Sequence, residues 1–152
     1  MIRVQRKDFD IGRELSALTA GKTRIGGLCS FVGLVRDMAG DSGVGAMTLE
    51  HYPGMTEKRL AEIEAEARSR WPLDDSLIIH RYGRLAPGDR IVLVATAAAH
   101  REAAFAACGF LIDWLKTQAP FWKLEETDKG AAWVDAKPGD DAAAVRWTKM
   151  EP

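Results

Sequence analysis

Cysteine is almost absent from this 152-residue chain: Cys29 and Cys108 stand far apart and form neither a paired metal-ligand spacing nor a disulfide framework. Histidine is scarce as well, with three copies and no neighbouring acidic spacing of the kind a metal centre uses, so no metal site is expected. Net charge is close to zero, at −1, which removes any global field toward nucleic acid or an anionic membrane. Long apolar runs are missing too. The longest, residues 103–112, is bounded by Glu102 and Asp113 and falls well short of the roughly 20 residues a membrane span needs. The first residues, MIRVQRKDFD, are charged and lack an apolar signal core, so a cytoplasmic location is expected. No P-loop, dinucleotide fingerprint or serine elbow is found. Any anion binding must therefore come from a local cluster of cations.

What remains reads as one soluble domain over residues 1–152, with 47% apolar and 28% charged residues. A short strand at 2–4 is followed by a small helix at 11–18. Residues 26–36 (GGLCSFVGLVR) form a strand, and the glycine-rich segment 37–45 after it is expected to be a mobile loop. A strand at 46–52 is broken by Pro53-Gly54. Thr56 is placed as the N-cap of a helix ending near Arg70, with an apolar stripe of Leu60, Ile63, Ala67 and Trp71.

Strands at 77–82 and 90–96 are expected to join across Ala86-Pro87-Gly88-Asp89. The segment 100–116 carries apolar residues on nearly every face, so it reads as a buried helix that Pro120 ends. Residues 121–126 and 132–136 suggest a hairpin, and 137–152 reads as a loose tail up to Trp147. Interleaved helices with hairpin-joined strands favour an α+β fold.

Four places can carry chemistry. His100-Arg101 opens a helix, where free backbone N–H groups and the positive dipole end suit a phosphate or carboxylate; a merely solvated helix start fits the same residues. Lys116 and Lys123 bracket a turn fixed by Pro120. Paired ammonium groups bind anions and ease proton transfer near neutral pH, yet two surface lysines beside a buried aromatic pair would look alike. Arg36 ends a strand and can grip a phosphate with two donors. Glu125 lies two residues after Lys123, on the same strand face, and can orient it. His51 and His80 read as structural, and a cysteine nucleophile is disfavoured.

Several peptides then align in order: LEHYPGMTEK at 49–58, RWPL at 70–73, His100-Arg101, LKTQAPFWK at 115–123 and Trp133-Val134. Together they resemble the large, catalytic subunit family of molybdopterin synthase, over about residues 27–147. The resemblance implies an α/β hammerhead with a small additional antiparallel β-subdomain. It implies a homodimer within a heterotetramer, built with a small ubiquitin-like sulfur-carrier subunit that ends in Gly-Gly. That tail, as a thiocarboxylate, gives its sulfur to cyclic pyranopterin monophosphate, and water releases the spent carboxylate.

By the same resemblance Lys116 and Lys123 match the catalytic lysines. Leu34, Val35, Arg36, His100, Arg101, Leu124 and Glu125 match the substrate-binding segments. No cofactor, nucleic acid or membrane is implied. Leu34 and Leu124 stand where some relatives carry a lysine and an arginine, so the pocket holds fewer cations here. A non-catalytic dimeric module binding a phosphorylated ligand or a partner's tail, and a persulfide enzyme using Cys29 or Cys108, remain open alternatives.

Overall fold

The computed structural model describes residues 1–37, 45–127, 130–134 and 138–148. The expected mobile loop therefore falls, over 38–44, outside the described residues. Four strands build the first sheet: β1 (Ile2–Gln5), β2 (Gly27–Leu34), β4 (Leu73–Arg81) and β6 (Arg90–Ala98), in the order β1-β4-β6-β2. β1 runs parallel to β4, while β4–β6 and β6–β2 are antiparallel. A second, wholly antiparallel sheet has the order β5-β3-β7-β8, from β3 (Ala46–His51), β5 (Gly83–Leu85), β7 (Phe121–Thr127) and β8 (Gly130–Val134). The architecture is α+β, with the second sheet as the small antiparallel subdomain.

Strand β6 shows why the sheet sits at the centre. Its run IVLVATAA is apolar or small at every position rather than alternating, the pattern of a strand covered on both faces. Val92 and Val94 face a core with Leu60, Ile63, Phe110 and Leu111, supplied by α2 (Met55–Arg70) and α3 (Arg101–Gln118). Leu93, Ala95 and Ala97 face the other side, where Leu18 of α1 (Ile11–Thr19) and Phe9 close the layer. None of the helices is long and apolar enough to cross a membrane among the described residues.

Three local expectations differ from what forms. The N-cap of α2 is Gly54, at φ 86°, a left-handed geometry that favours glycine. The Gly54 amide donates to Glu57 Oε2 at 2.6 Å. Thr56 lies inside the helix, fully buried, and its hydroxyl donates to the Tyr52 carbonyl at 2.9 Å. β4 and β6 do pair, but β5 intervenes between them and leaves for the second sheet, so one chain segment ties the two sheets together.

The third difference is the tail. Pro138–Thr148 forms a helix, α4, rather than a loose segment. Its anchor is Trp147, which packs edge-on against Trp71 and Phe110 and donates its indole N–H to Asp113 Oδ2 at 2.6 Å. The Arg70 guanidinium donates to the Trp147 carbonyl at 2.7 Å and so satisfies one of the last carbonyls of the helix. One large aromatic docks a stretch whose own periodicity is weak, which is why the pattern alone reads as tail.

Candidate active site

The two ends of α3 carry the cations singled out in the sequence. At its start, His100 is the N-cap in extended geometry, and its side chain makes no capping hydrogen bond. His100 and Arg101 are both exposed. Gly26 and Gly27 let β2 pass close beneath: a Cβ on Gly26 would meet the Ala99 carbonyl oxygen at 2.2 Å, and one on Gly27 would meet Arg101 Cα at 3.3 Å. A side chain at Gly26 has no room without displacing backbone.

At the other end, exposed Lys116 sits in the last turn of α3. It lines a cleft of about 220 Å³ with Leu34 and Phe31 of β2, His80 of β4 and Ile112 of α3. Pro120 ends the helix, and the chain re-enters as β7 with Phe121 stacked on the His80 ring, centroids 3.7 Å apart and planes 16° from parallel. β7 then presents Phe121, Lys123 and Glu125 on one face, by the alternation of a strand. Their register partners on β3 are His51, Leu49 and Met47. Leu49 and Met47 belong to the buried cluster with Val35 and Leu85, so Lys123 and Glu125 lie on the covered side of the second sheet.

The segment 34–36 is held in place from below. The Val35 amide donates to the Asp89 carbonyl at 2.9 Å, and the Gly88 amide donates to the Val35 carbonyl at 2.7 Å. Val35 packs its side chain into the core and leaves Leu34 and Arg36, both exposed, on either side of it. Leu34 and Lys116 thus share the cleft; Arg36 follows two residues after Leu34, and Lys123 and Glu125 follow on the strand whose Phe121 stacks on His80 of the cleft lining. Leu124 points to the opposite face of β7, beside Trp133. His100 and Arg101 do not join this group within one chain. At about 1.5 Å per residue, about 22 Å of helix separates Arg101 from Lys116.

His80 is the member that the sequence reading assigned to structure alone. Its Nδ1 lies 2.8 Å from the Arg81 carbonyl, which can only accept, so Nδ1 carries the proton. Loss of hydration on burial pushes its pKa from an ordinary 6.5 down to about 4, and the charges of Lys116 and His51 add to that shift, against the opposing Arg81 carbonyl. No motif marks His80 as different from other histidines in apolar strands.

Residues 4–118 match the family described as MoaE protein. The chain belongs to the MoaE protein family. Among its relatives, a molybdopterin synthase catalytic subunit from Ralstonia nicotianae is 58% identical over 146 residues, covering 96% of this chain and 83% of the relative. The solved molybdopterin biosynthesis MoaE protein of Burkholderia ambifaria is 57% identical, with a TM-score of 0.84 and coverage of 97% of both chains. A molybdopterin synthase structure from Staphylococcus aureus retains the fold at 28% identity, with a TM-score of 0.81 and coverage of 88% of this chain and 96% of that one.

In this MoaE-family chain the neutral His80 has a consequence for stability. The unfolded chain binds a proton at His80 near pH 6.5, while the folded chain resists it until about pH 4. Stability contributed by this group is complete above pH 6.5 and falls as pH drops toward 4, by roughly 3 kcal/mol in total. Denaturant unfolding at pH 7.5 and 4.5 should show the loss, and His80→Phe should shrink the difference between the two pH values. An unchanged difference would contradict the assignment. Asp8, held down to about 2 mainly by its hydrogen bond from Arg90, acts only at lower pH.

Proposed function

We propose that this chain is the catalytic subunit of a molybdopterin synthase, a sulfur-transfer enzyme of molybdenum cofactor biosynthesis. The sulfur arrives as the C-terminal thiocarboxylate of a small ubiquitin-like subunit ending in Gly-Gly, and the acceptor is cyclic pyranopterin monophosphate. The observation that carries this reading is the cleft at the end of α3, lined by Lys116 and by His80, on which Phe121 of the Lys123-bearing strand stacks. Its volume of about 220 Å³ suits a tail without side chains better than a bulky peptide.

In the proposed reaction the thiocarboxylate sulfur bonds to a side-chain carbon of the pterin as a carbon–oxygen bond at that carbon breaks. The oxygen leaves as water once protonated, or with the opening cyclic phosphate, and the product is a thioester between tail and substrate. Water then adds to the thioester carbonyl, and the tetrahedral oxyanion collapses by breaking the carbon–sulfur bond. The tail leaves as a carboxylate and the sulfur stays on the pterin; a second tail delivers the second sulfur. Lys116 donates to the carbonyl oxygen as negative charge builds on it. Lys123, with Glu125 on the same face, moves the proton of the attacking water and its product. Arg36 takes the phosphate.

His100 and Arg101 are about 22 Å of helix away, farther than a small pterin phosphate reaches. They serve the site of a second copy, so the working unit is a homodimer with composite sites, bound to two small subunits. In support, β2 is an edge strand of its sheet, and Leu28, Phe31 and Leu34 on it and Phe105 on α3 are exposed apolar side chains around that edge.

The test is reconstitution: purified chain, thiocarboxylated small subunit and cyclic pyranopterin monophosphate, with molybdopterin as the readout. Tail binding without product would leave only a binding module. The persulfide alternative is disfavoured because burial pushes the Cys108 thiol up to about 12, and Cys108 packs in the core with Cys29 against it. A folded Cys29→Ala/Cys108→Ala variant is expected to keep turnover within about twofold, since only packing is lost. Specific loss of turnover would return the sulfur to a cysteine.

A further inference from the structure

Most groups around the cleft have an evident task, but His80 has a polar atom left over. Its Nδ1 is engaged by the Arg81 carbonyl at 2.8 Å, one face of the ring is stacked on Phe121, and among the described residues the Arg81 contact is its hydrogen bond, leaving Nε2 for another donor. The residue nevertheless lines the cleft together with Lys116. With the proton fixed on Nδ1, Nε2 is a lone-pair acceptor. The ring is partly buried and its Nε2 is not sealed away, so this acceptor is open to the ammonium group that lines the same cleft.

We propose that His80 is a positioning residue for the sulfur transfer: its Nε2 accepts a hydrogen bond from the Lys116 ammonium and aims that group at the carbonyl of the bound tail. The inference rests on the sulfur-transfer reading of the cleft. Three features of the surroundings suit the role. The stack on Phe121 and the bond to the Arg81 carbonyl fix the ring plane from two directions, so the acceptor has one position. Lys116 extends from the last turn of α3, and its long side chain needs such a point to lose its rotamer freedom before the chemistry. The imidazole is held neutral, so it directs the ammonium without adding another cation to a cationic site or competing with it for the anionic tail. A glutamate there would neutralise Lys116, and a second lysine would repel it; a neutral acceptor does neither.

The experiment compares wild type, His80→Phe and His80→Gln in the reconstituted synthase, with steady-state kcat and KM for the pterin and for the thiocarboxylated subunit. Phenylalanine keeps the ring stack and removes the acceptor; glutamine restores an acceptor oxygen. The expected result is a kcat about tenfold lower in His80→Phe, with both KM values within about twofold, and recovery of most of the turnover in His80→Gln. Full turnover in His80→Phe, or no recovery in His80→Gln, overturns the inference.

Should either variant fail to fold, the ring nitrogens of wild-type His80 are read by NMR at pH 7. An Nδ1–H tautomer whose Nε2 signal responds to Lys116→Ala supports the role, and an Nε2–H tautomer or an unresponsive Nε2 rejects it. An inactive wild-type enzyme would instead count against the sulfur-transfer reading itself.

Discussion

Replacing Lys116 by alanine is expected to lower molybdopterin formation by at least about 100-fold while leaving the fold and capture of the small subunit intact. The expected size follows from what one preorganised donor contributes to an oxyanion in a site shielded from water, about 10²–10³ in rate. The expectation of an intact fold follows from placement. Lys116 is exposed at the C-terminal turn of α3, and neighbouring Leu115, which stays, carries the core contact. Truncation there forfeits a favourable charge at the helix end, about 0.3–1 kcal/mol, and little packing. The loss should therefore fall on kcat, with melting temperature nearly unchanged and the small subunit still retained on a column. Lys116→Arg keeps the charge but presents it as a wider, planar group, so it should restore binding of the anionic tail more than turnover. Full activity in Lys116→Ala would remove the proposed role outright.

How far the sequence discloses this arrangement depends on whether a feature is local. The apolar continuity of β6 gives a strand covered on both faces, and the Leu60, Ile63, Ala67 stripe gives α2, because each element's burial is written in its own period. The tail helix is not written that way. α4 is held by Trp147 against Trp71 and Phe110, contacts made by residues remote in the chain, and its own pattern is faint. β5 is hidden for a related reason: Gly83–Leu85 reads as part of a turn between two paired strands, and only its bonding to β3 reveals that it crosses to the other sheet.

The site divides along the same line. Lys116 and Lys123 flank one turn that Pro120 marks, a relation written in adjacent sequence and therefore local. That His80 stands under this turn depends on β4 meeting α3 and β7, and nothing near residue 80 announces it. The separation of His100-Arg101 from Lys116 is legible in principle, since a continuous helix fixes the distance between its ends. A motif reading passes over it by treating every cation as a member of one pocket. In the proposed homodimer, one chain supplies half of each of two sites.

That consequence gives the second large effect. Arg101→Ala and Lys116→Ala are each expected to be nearly inactive as pure proteins, yet the two co-expressed should regain about a quarter of wild-type turnover. In a two-fold dimer each site takes the His100-Arg101 end of α3 from one copy and the Lys116 end from the other. A mixed dimer then contains one site with both defects and one with neither. Random assembly makes about half of the dimers mixed, and half of their sites are whole, hence the quarter. Both substitutions are at exposed positions, so neither should prevent pairing. The assay needs the two variants carrying different affinity tags, isolation of the doubly tagged dimer, and turnover per dimer, expected near half of wild type. If every site were built within one chain, the doubly tagged dimer would be as inert as its parents, because each of its two sites would carry one defect. The activity of that mixed species therefore decides whether α3 spans two active sites or borders one.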